Sequence, residues 1–506
     1  MIDAGRDQER DILQLVRTQR WFAQKHLTSP EASILDSLDF QLPGGKSCSW
    51  LLLSVEPGQR VYSIVVASDA GAGLSLISPA HLLEHITRHK SVTTSQDGLI
   101  SFAGSSATYN ASTAKPLEEC NSSNSLFSGD LGESACVAKF YRKMDTGGVR
   151  ELSTLSALQS TGLIPRLFGA IRYRAAGSPQ DAEPEVLCLF LEPITGRPAY
   201  EPFQFASRKG IAALRAGASV ESVLADDAVT LPEESANLGR LIADFHSAAT
   251  AHQSPRSALH LDACIGDLRR RWNDLTHLSK NCENASCLIN MAPMAQLEEL
   301  IARSGHTQSS IASSYSHGDL HLSHILFEGG RGKGRIIDPA HGICDTRVAD
   351  HSARDLLQIC RGFECFIFDE IATDIAAVTG QSREAAAAFL ADPENTEADV
   401  WMSFGRRWSK MVFEAVLDGY LSVIPDARLH PITDPAWRGV FYLERLFHEL
   451  EYNIAYDRAF FMSADITWMR NFGLKLSLFP TRPSTNPSLA SKTERETITG
   501  DVHVLH

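Results

Sequence analysis

The run His317-Gly318-Asp319-Leu320-His321-Leu322-Ser323-His324 is the densest set of chemically able side chains in the sequence, and Asp338 follows fourteen residues after His324, in Arg335-Ile336-Ile337-Asp338-Pro339. Ile325-Leu326-Phe327 and Arg335-Ile336-Ile337 read as two short apolar strands joined by the glycine-rich turn of residues 329–334. Such a hairpin brings Asp319, which precedes it, and Asp338, at its end, to one mouth. Two carboxylates at close range need a cation between them, since otherwise one must take up a proton. A divalent ion is the usual partner, and phosphoryl transfer has a use for it. One Asp accepts the proton of the attacking hydroxyl, a second holds Mg²⁺ between phosphate oxygens, and an Asn, Gln or His completes the metal's ligands. The remaining part is a strand-borne Lys that neutralises nucleotide phosphates. Lys139, in Val137-Ala138-Lys139-Phe140, fits it: an ammonium in an apolar strand is poorly solvated until an anion meets it.

The elements that must position these groups change character along the chain. Residues 8–26 carry helical periodicity through Ile12, Leu13, Val16, Trp21 and Phe22; from about 33 to 105 the apolar runs are short and strand-like. Residues 104–135 are Ser/Asn/Gly-rich, and their second half predicts a hairpin turning at Gly129-Asp130 into the buried strand that holds Lys139. A helix is expected over 149–158 and a nearly continuous apolar strand over 185–192, ended by Pro193 and Gly196. Beyond this the pattern is of long helices, interrupted only by the hairpin that follows Asp319. From Phe479 the chain is Pro/Ser/Thr-rich, the composition of a mobile tail. The fold class is therefore α+β. The expected division is a β-rich cap at 1–105, a small nucleotide lobe at 106–196, a helical lobe at 197–478 and a tail at 479–506.

Composition bounds the partners. The 506 residues, 43% of them hydrophobic and 21% charged, describe a globular chain of two to four domains and exclude collagen, coiled coil and wholesale disorder. The net charge of −14, with no basic cluster, argues against nucleic acid. The polar N-terminus has no export signal, no apolar stretch reaches the roughly 18 residues of a membrane span, and the ten cysteines include no CxxC pair. A reduced, cytoplasmic protein without a membrane partner is expected, as a monomer or homodimer.

The HGDLH motif, its following strand and the Asp338 turn resemble the catalytic segment of aminoglycoside-phosphotransferase-like kinases, a branch of the protein-kinase-like fold. Four further stretches resemble the maltokinase and glucosamine kinase group: Gln19-Arg20-Trp21-Phe22-Ala23-Gln24-Lys25; Ser123-Asn124-Ser125 with Gly129-Asp130 and Ala138-Lys139-Phe140-Tyr141-Arg142; the run from Ser352 to Glu364; and Leu443-Glu444-Arg445 with Glu449 and Tyr452. The resemblance runs from residue 19 to about 453 and implies a bilobal fold with an N-terminal cap. It also implies an ATP-dependent phosphotransferase with an alcohol acceptor, most closely a kinase making maltose 1-phosphate from maltose, with glucosamine or another amino sugar as the alternative acceptor. It assigns Asp319 as base, Asp338 and His324 as ligands of Mg²⁺, and Lys139 with Ser123, Asn124, Ser125 and Glu151 to the nucleotide. Leu189 and Leu191 fall in the strand that holds adenine; Glu449, Tyr452 and His321 face the sugar; Asp355 and His317 support the loop.

This chain departs from the group in three places. His324 stands where Gln or Asn is usual, which favours Mn²⁺ as an alternative to Mg²⁺. Pro-Ala-His follows the metal Asp in place of an acidic residue. The Glu that pairs Lys139 is not fixed by alignment: Glu151 is nearest, but an ungapped match puts Ser153 there. Those losses motivate another reading, a catalytically weak kinase-like binding protein. The histidines motivate a third, a metallohydrolase, although no second cluster of metal ligands supports it. Trp401, Trp408 and Trp437 are candidates for sugar stacking, with core packing as the plainer expectation. The 329–334 turn lacks the Ser/Thr of a phosphate loop and is expected to be only a hairpin.

Overall fold

The computed structural model describes residues 3–470 except 20, 23–29, 57–59, 70–72, 118–123, 180, 255–256, 281, 305–307, 329–332, 344–348 and 425–429. The expected tail at 479–506, Ser123 and Arg20 therefore lie outside the described residues.

Helix α1 (Asp3–Arg17) lays Ile12, Leu13 and Val16 on an antiparallel sheet of β1 (Glu31–Gln41), β2 (Ser47–Glu56) and β3 (Arg60–Asp69), edged by β4 (Gly73–Leu76). Strand β2 explains how this sheet is used. Leu51, Leu53 and Val55 face the α1 core, while the alternate residues Cys48, Trp50 and Leu52 join a second core with α2 (Ala80–His89). A strand buried on both faces needs the near-continuous apolar run seen in Trp50–Val55.

The second sheet comprises β5 (Ser91–Thr93), β6 (Leu99–Gly104), β7 (Tyr109–Pro116), β8 (Ser125–Leu131), β9 (Ser134–Phe140), β11 (Leu167–Arg174) and β12 (Glu185–Leu191), in the order β5-β6-β11-β12-β9-β8-β7. Strands β5 and β6 precede residue 105, so the boundary expected there cuts this sheet. The hairpin also turns later than expected: Leu131 pairs with Ser134, Gly132 takes φ +64°, and Gly129-Asp130 lie inside β8. A two-residue turn needs a residue at positive φ, and Gly132 supplies it without steric cost. Short strand β10 (Lys143–Met144) leaves the second sheet to pair with β3 of the first, and α3 (Thr146–Leu158) follows, capped by Asp145.

The helical part contains α4 (Tyr200–Arg215), α5 (Val220–Leu224), α6 (Asp227–Thr230), α7 (Pro232–His252), α8 (Leu261–Ser279), α9 (Pro293–Ser304), α10 (Ala353–Thr379), α11 (Arg383–Ala391), α12 (Ala398–Leu421), α13 (Pro435–Ala455) and α14 (Ala459–Arg470). Three short strands, β13 (Arg197–Pro198), Ile325–Phe327 and Gly334–Ile336, form the sheet that carries the hairpin following Asp319, with Phe327 opposite Gly334. Helix α10 runs through the centre, packed by α4, α11, α12, α13 and α14. Buried polar residues recur along it every third position, Asp355, Gln358, Arg361 and Glu364, so one polar row drifts round an otherwise apolar helix. Trp408 and Trp437 are fully buried and belong to this core. Among the described residues no helix is long and apolar enough to cross a membrane, and the eight described cysteines are free thiols.

Candidate active site

The loop of residues 317–324 is held at both ends. The backbone N–H groups of His317 and Gly318 donate to the Asp355 carboxylate at 2.5 and 3.0 Å, and His246 Nε2 lies 2.9 Å from the same carboxylate. His317 ties the loop to the strand before Asp338. Its Nε2–H donates to Ile337 O at 2.8 Å, which leaves Nδ1 to accept from the Asp319 N–H at 3.2 Å. Burial holds this ring neutral, at a pKa of about 4. Bonds from Ala340 N to His317 O and from Ile337 N to His324 O, both 2.9 Å, close the arrangement. Gly318 has φ +87°, and any side chain there would strike the His341 ring. The two carboxylates are thus fixed relative to each other by backbone bonds that their own side chains do not use.

Asp319 is about half exposed, at 48%. Its Oδ1 accepts from Gln358 Nε2 at 2.8 Å, and Arg445 Nη1 lies 4.0 Å away. Burial works to raise its pKa, but the neighbouring His321 and His324, the Gln358 hydrogen bond and Arg445 together lower it. Both imidazoles have pKa values near 4 and carry no charge at neutral pH, so Gln358 and Arg445 sustain the effect there. The result is an ionised, half-exposed carboxylate whose Oδ1 is bonded to Gln358 and whose Oδ2 lies 4.0 Å from His321 Nε2.

Lys139 is 4% exposed and sits in β9 opposite Leu189 of β12, with Leu191 opposite Val137. Its Nζ is 2.6 Å from Glu151 Oε2, which also accepts from Tyr141 Oη at 2.5 Å, and on its other side it contacts Asp338 Oδ1. Glu151, on α3, is therefore the Glu that pairs Lys139; Ser153 bonds to Arg150 O. Ser125 opens β8 opposite Phe140, and Asn124 directly precedes it.

Asp338 takes φ +64°, a left-handed conformation that Asp tolerates better than most residues and that often marks functional positions. Its Oδ2 lies 3.8 Å from His324 Nε2. His324 Nδ1 is 2.8 Å from Asp319 O, and since a carbonyl can only accept, the ring proton is on Nδ1. In the neutral ring, then, two lone-pair atoms face each other across 3.8 Å with no proton between them. That pairing fits a divalent cation and would otherwise be repulsive, so the residues present suit the metal that the catalytic segment implies.

No protein-family model and no curated protein matches the sequence. Solved structures do match. A glucosamine kinase in complex with glucosamine, ADP and inorganic phosphate superposes with a TM-score of 0.50 at 14% identity, covering 90% of this chain and 96% of that one. Crystal form B of a glucosamine kinase gives 0.51 at 14%, covering 90% and 98%. The chain has their fold.

On the expected acceptor side the structure gives Glu449 and Tyr452 different surroundings. Both oxygens of Glu449 are taken, by Arg361 Nε at 2.9 Å and Arg445 Nε at 2.8 Å, while Tyr452 is 47% exposed and packs on Tyr456 and Arg458. An i, i+3 spacing puts two residues near one face, but here the inner one meets α10 and the outer one meets solvent. Beneath Glu449, Arg361 is fully buried and also binds Asp465 at 2.6 Å and Glu364 at 2.5 Å. Two guanidiniums thus face three carboxylates; burial raises Asp465 to a pKa of about 7, and a proton there brings the cluster towards neutrality. Sequence reasoning missed Gln358, Arg445 and Arg361. Gln358 was signalled by its place one turn after Asp355, and Arg445 by its i, i+4 spacing from Glu449.

Proposed function

We propose that the chain is an ATP-dependent kinase that phosphorylates a hydroxyl of a neutral sugar, with maltose, giving maltose 1-phosphate and ADP, as the first acceptor to test. The observation that carries this reading is the linked pair of carboxylates, with ionised Asp319 open to the mouth and Asp338 set between Lys139 and His324. Asp319 orients the acceptor hydroxyl and takes its proton as the oxygen bonds to the γ-phosphorus; the bond to the β-phosphate oxygen breaks and ADP leaves with that electron pair. Lys139, held by Glu151, exchanges Asp338 for nucleotide phosphate, and strand β12 with Leu189 and Leu191 borders the adenine. Mg²⁺ held by Asp338 and His324 would neutralise charge on the transferring phosphoryl oxygens. Asp355 and His317 position the loop.

The preference for a neutral acceptor rests on Arg445. A cationic amino sugar at Asp319 would meet this guanidinium, while Glu449, the carboxylate suited to an ammonium, has both oxygens bound to arginines. An amino-sugar acceptor is the second reading, favoured by the fold shared with a glucosamine kinase bound to glucosamine. The deciding experiment incubates the purified chain with Mg·ATP and a panel of maltose, glucose, glucosamine and related sugars, reads ADP release, and locates the phosphate by NMR. Turnover is expected with neutral sugars and to be lost in Asp319→Ala. ADP release that no sugar stimulates overturns the kinase reading; a clear preference for glucosamine overturns the acceptor class.

A further inference from the structure

The catalytic loop presents more nitrogen than a magnesium site needs. His321 and His324 are three residues apart across a 3₁₀ turn at 322–324, and in that geometry i and i+3 eclipse. The two imidazoles accordingly lie against each other, tilted by 33° with centroids 3.6 Å apart. One ligand atom from each of Asp319, His321 and His324 lies within 4.8 Å of the others, and His321 Nε2 is 4.0 Å from Asp319 Oδ2. His324 is already locked in the tautomer that leaves Nε2 unprotonated, through the kind of carbonyl hydrogen bond that orients metal-binding histidines.

We propose that Asp319, His321 and His324 form a site for a first-row transition ion, Zn²⁺ above all, which shares His324 with the Asp338 side where Mg²⁺ belongs and adds Asp319 and His321 to it. Two imidazole nitrogens and one carboxylate oxygen are a zinc-type set with a position left for water, whereas Mg²⁺ prefers oxygen and keeps its waters. An ion bound there occupies the carboxylate that accepts the hydroxyl proton, so zinc silences the centre that magnesium serves. This consequence rests on Asp319 being the base; the binding itself does not.

Co²⁺ is the probe, because its visible absorption reports coordination number directly. The nucleotide-free full chain is titrated with Co²⁺, then challenged with Zn²⁺ and with excess Mg²⁺. One equivalent is expected to give the intense bands of four- or five-coordinate cobalt, displaced by Zn²⁺ and not by Mg²⁺. His321→Asn, at a partly exposed position, is expected to weaken binding at least about tenfold with unchanged far-UV circular dichroism. A pale six-coordinate spectrum, displacement by Mg²⁺, or unaltered binding in a folded His321→Asn protein overturns the site. No turnover is measured, so this result is independent of whether the kinase reading stands.

Discussion

Two clusters of carboxylates and basic residues lie along the same polar row of α10, and they are built to opposite ends. At one end, Asp319 is half exposed and its one close hydrogen bond is from Gln358 to Oδ1. At the other, Arg361 and Glu364 are fully buried and their charged atoms are bound by Glu449, Asp465 and Tyr442. The same residue types are thus left incompletely coordinated at one end of the row and closed at the other. Arg445 joins the two, bonding Glu449 while facing Asp319, so the closed cluster holds the open one in place.

The sharpest test of this contrast is Asp319→Asn. Turnover should fall about 10²–10⁴-fold, with the melting temperature unchanged; a loss of stability would show that the open cluster is structural after all. Arg361→Ala should do the reverse. Stripping the partner from buried carboxylates costs about 3–5 kcal/mol, read as a lower denaturant midpoint, and an unaffected midpoint would break the comparison. Asp355→Ala leaves two loop N–H groups without their acceptor. A stability loss of about 1–3 kcal/mol is expected together with reduced turnover, since Asp355 belongs to the row yet holds the loop. Arg445→Leu should change kcat/KM by about tenfold, roughly 1.4 kcal/mol, and shift preference towards amino sugars, which a two-sugar competition assay reads.

The smallest effect is one of pH. His341 lies 2.6 Å from Asp350; burial lowers its pKa, but the hydrogen bond and charge of Asp350 outweigh that and raise it. A raised histidine stabilises fully below its unfolded value near 6.5. That contribution fades as pH climbs through the higher folded value. Melting temperatures of the parent and His341→Gln should therefore converge as pH rises past about 6.5, and divergence would reverse the sign.

The hairpin between Asp319 and Asp338 was legible because its pattern is local: two apolar strands with carboxylates before and after. Lys139 was legible for a different reason, as a charge misplaced in an apolar strand. The residues that surround Asp319 were not, since Gln358 and Arg445 arrive on helices far along the chain and only packing decides which of their neighbours face inward. The i, i+3 rule placed Glu449 and Tyr452 together, yet tertiary burial separated them. The position of the β8–β9 turn was missed because two glycines were available and only the pairing of Leu131 with Ser134 selects Gly132.

The strand that bears Lys139 does not stop at the nucleotide sheet. Two residues later the Arg142 carbonyl accepts from Ser63 N at 2.7 Å, its guanidinium covers Trp21, and β10 pairs with β3. The cap is consequently fastened to the strand that bears Lys139. Any displacement of Lys139 relative to the helical part would therefore carry the α1 sheet with it.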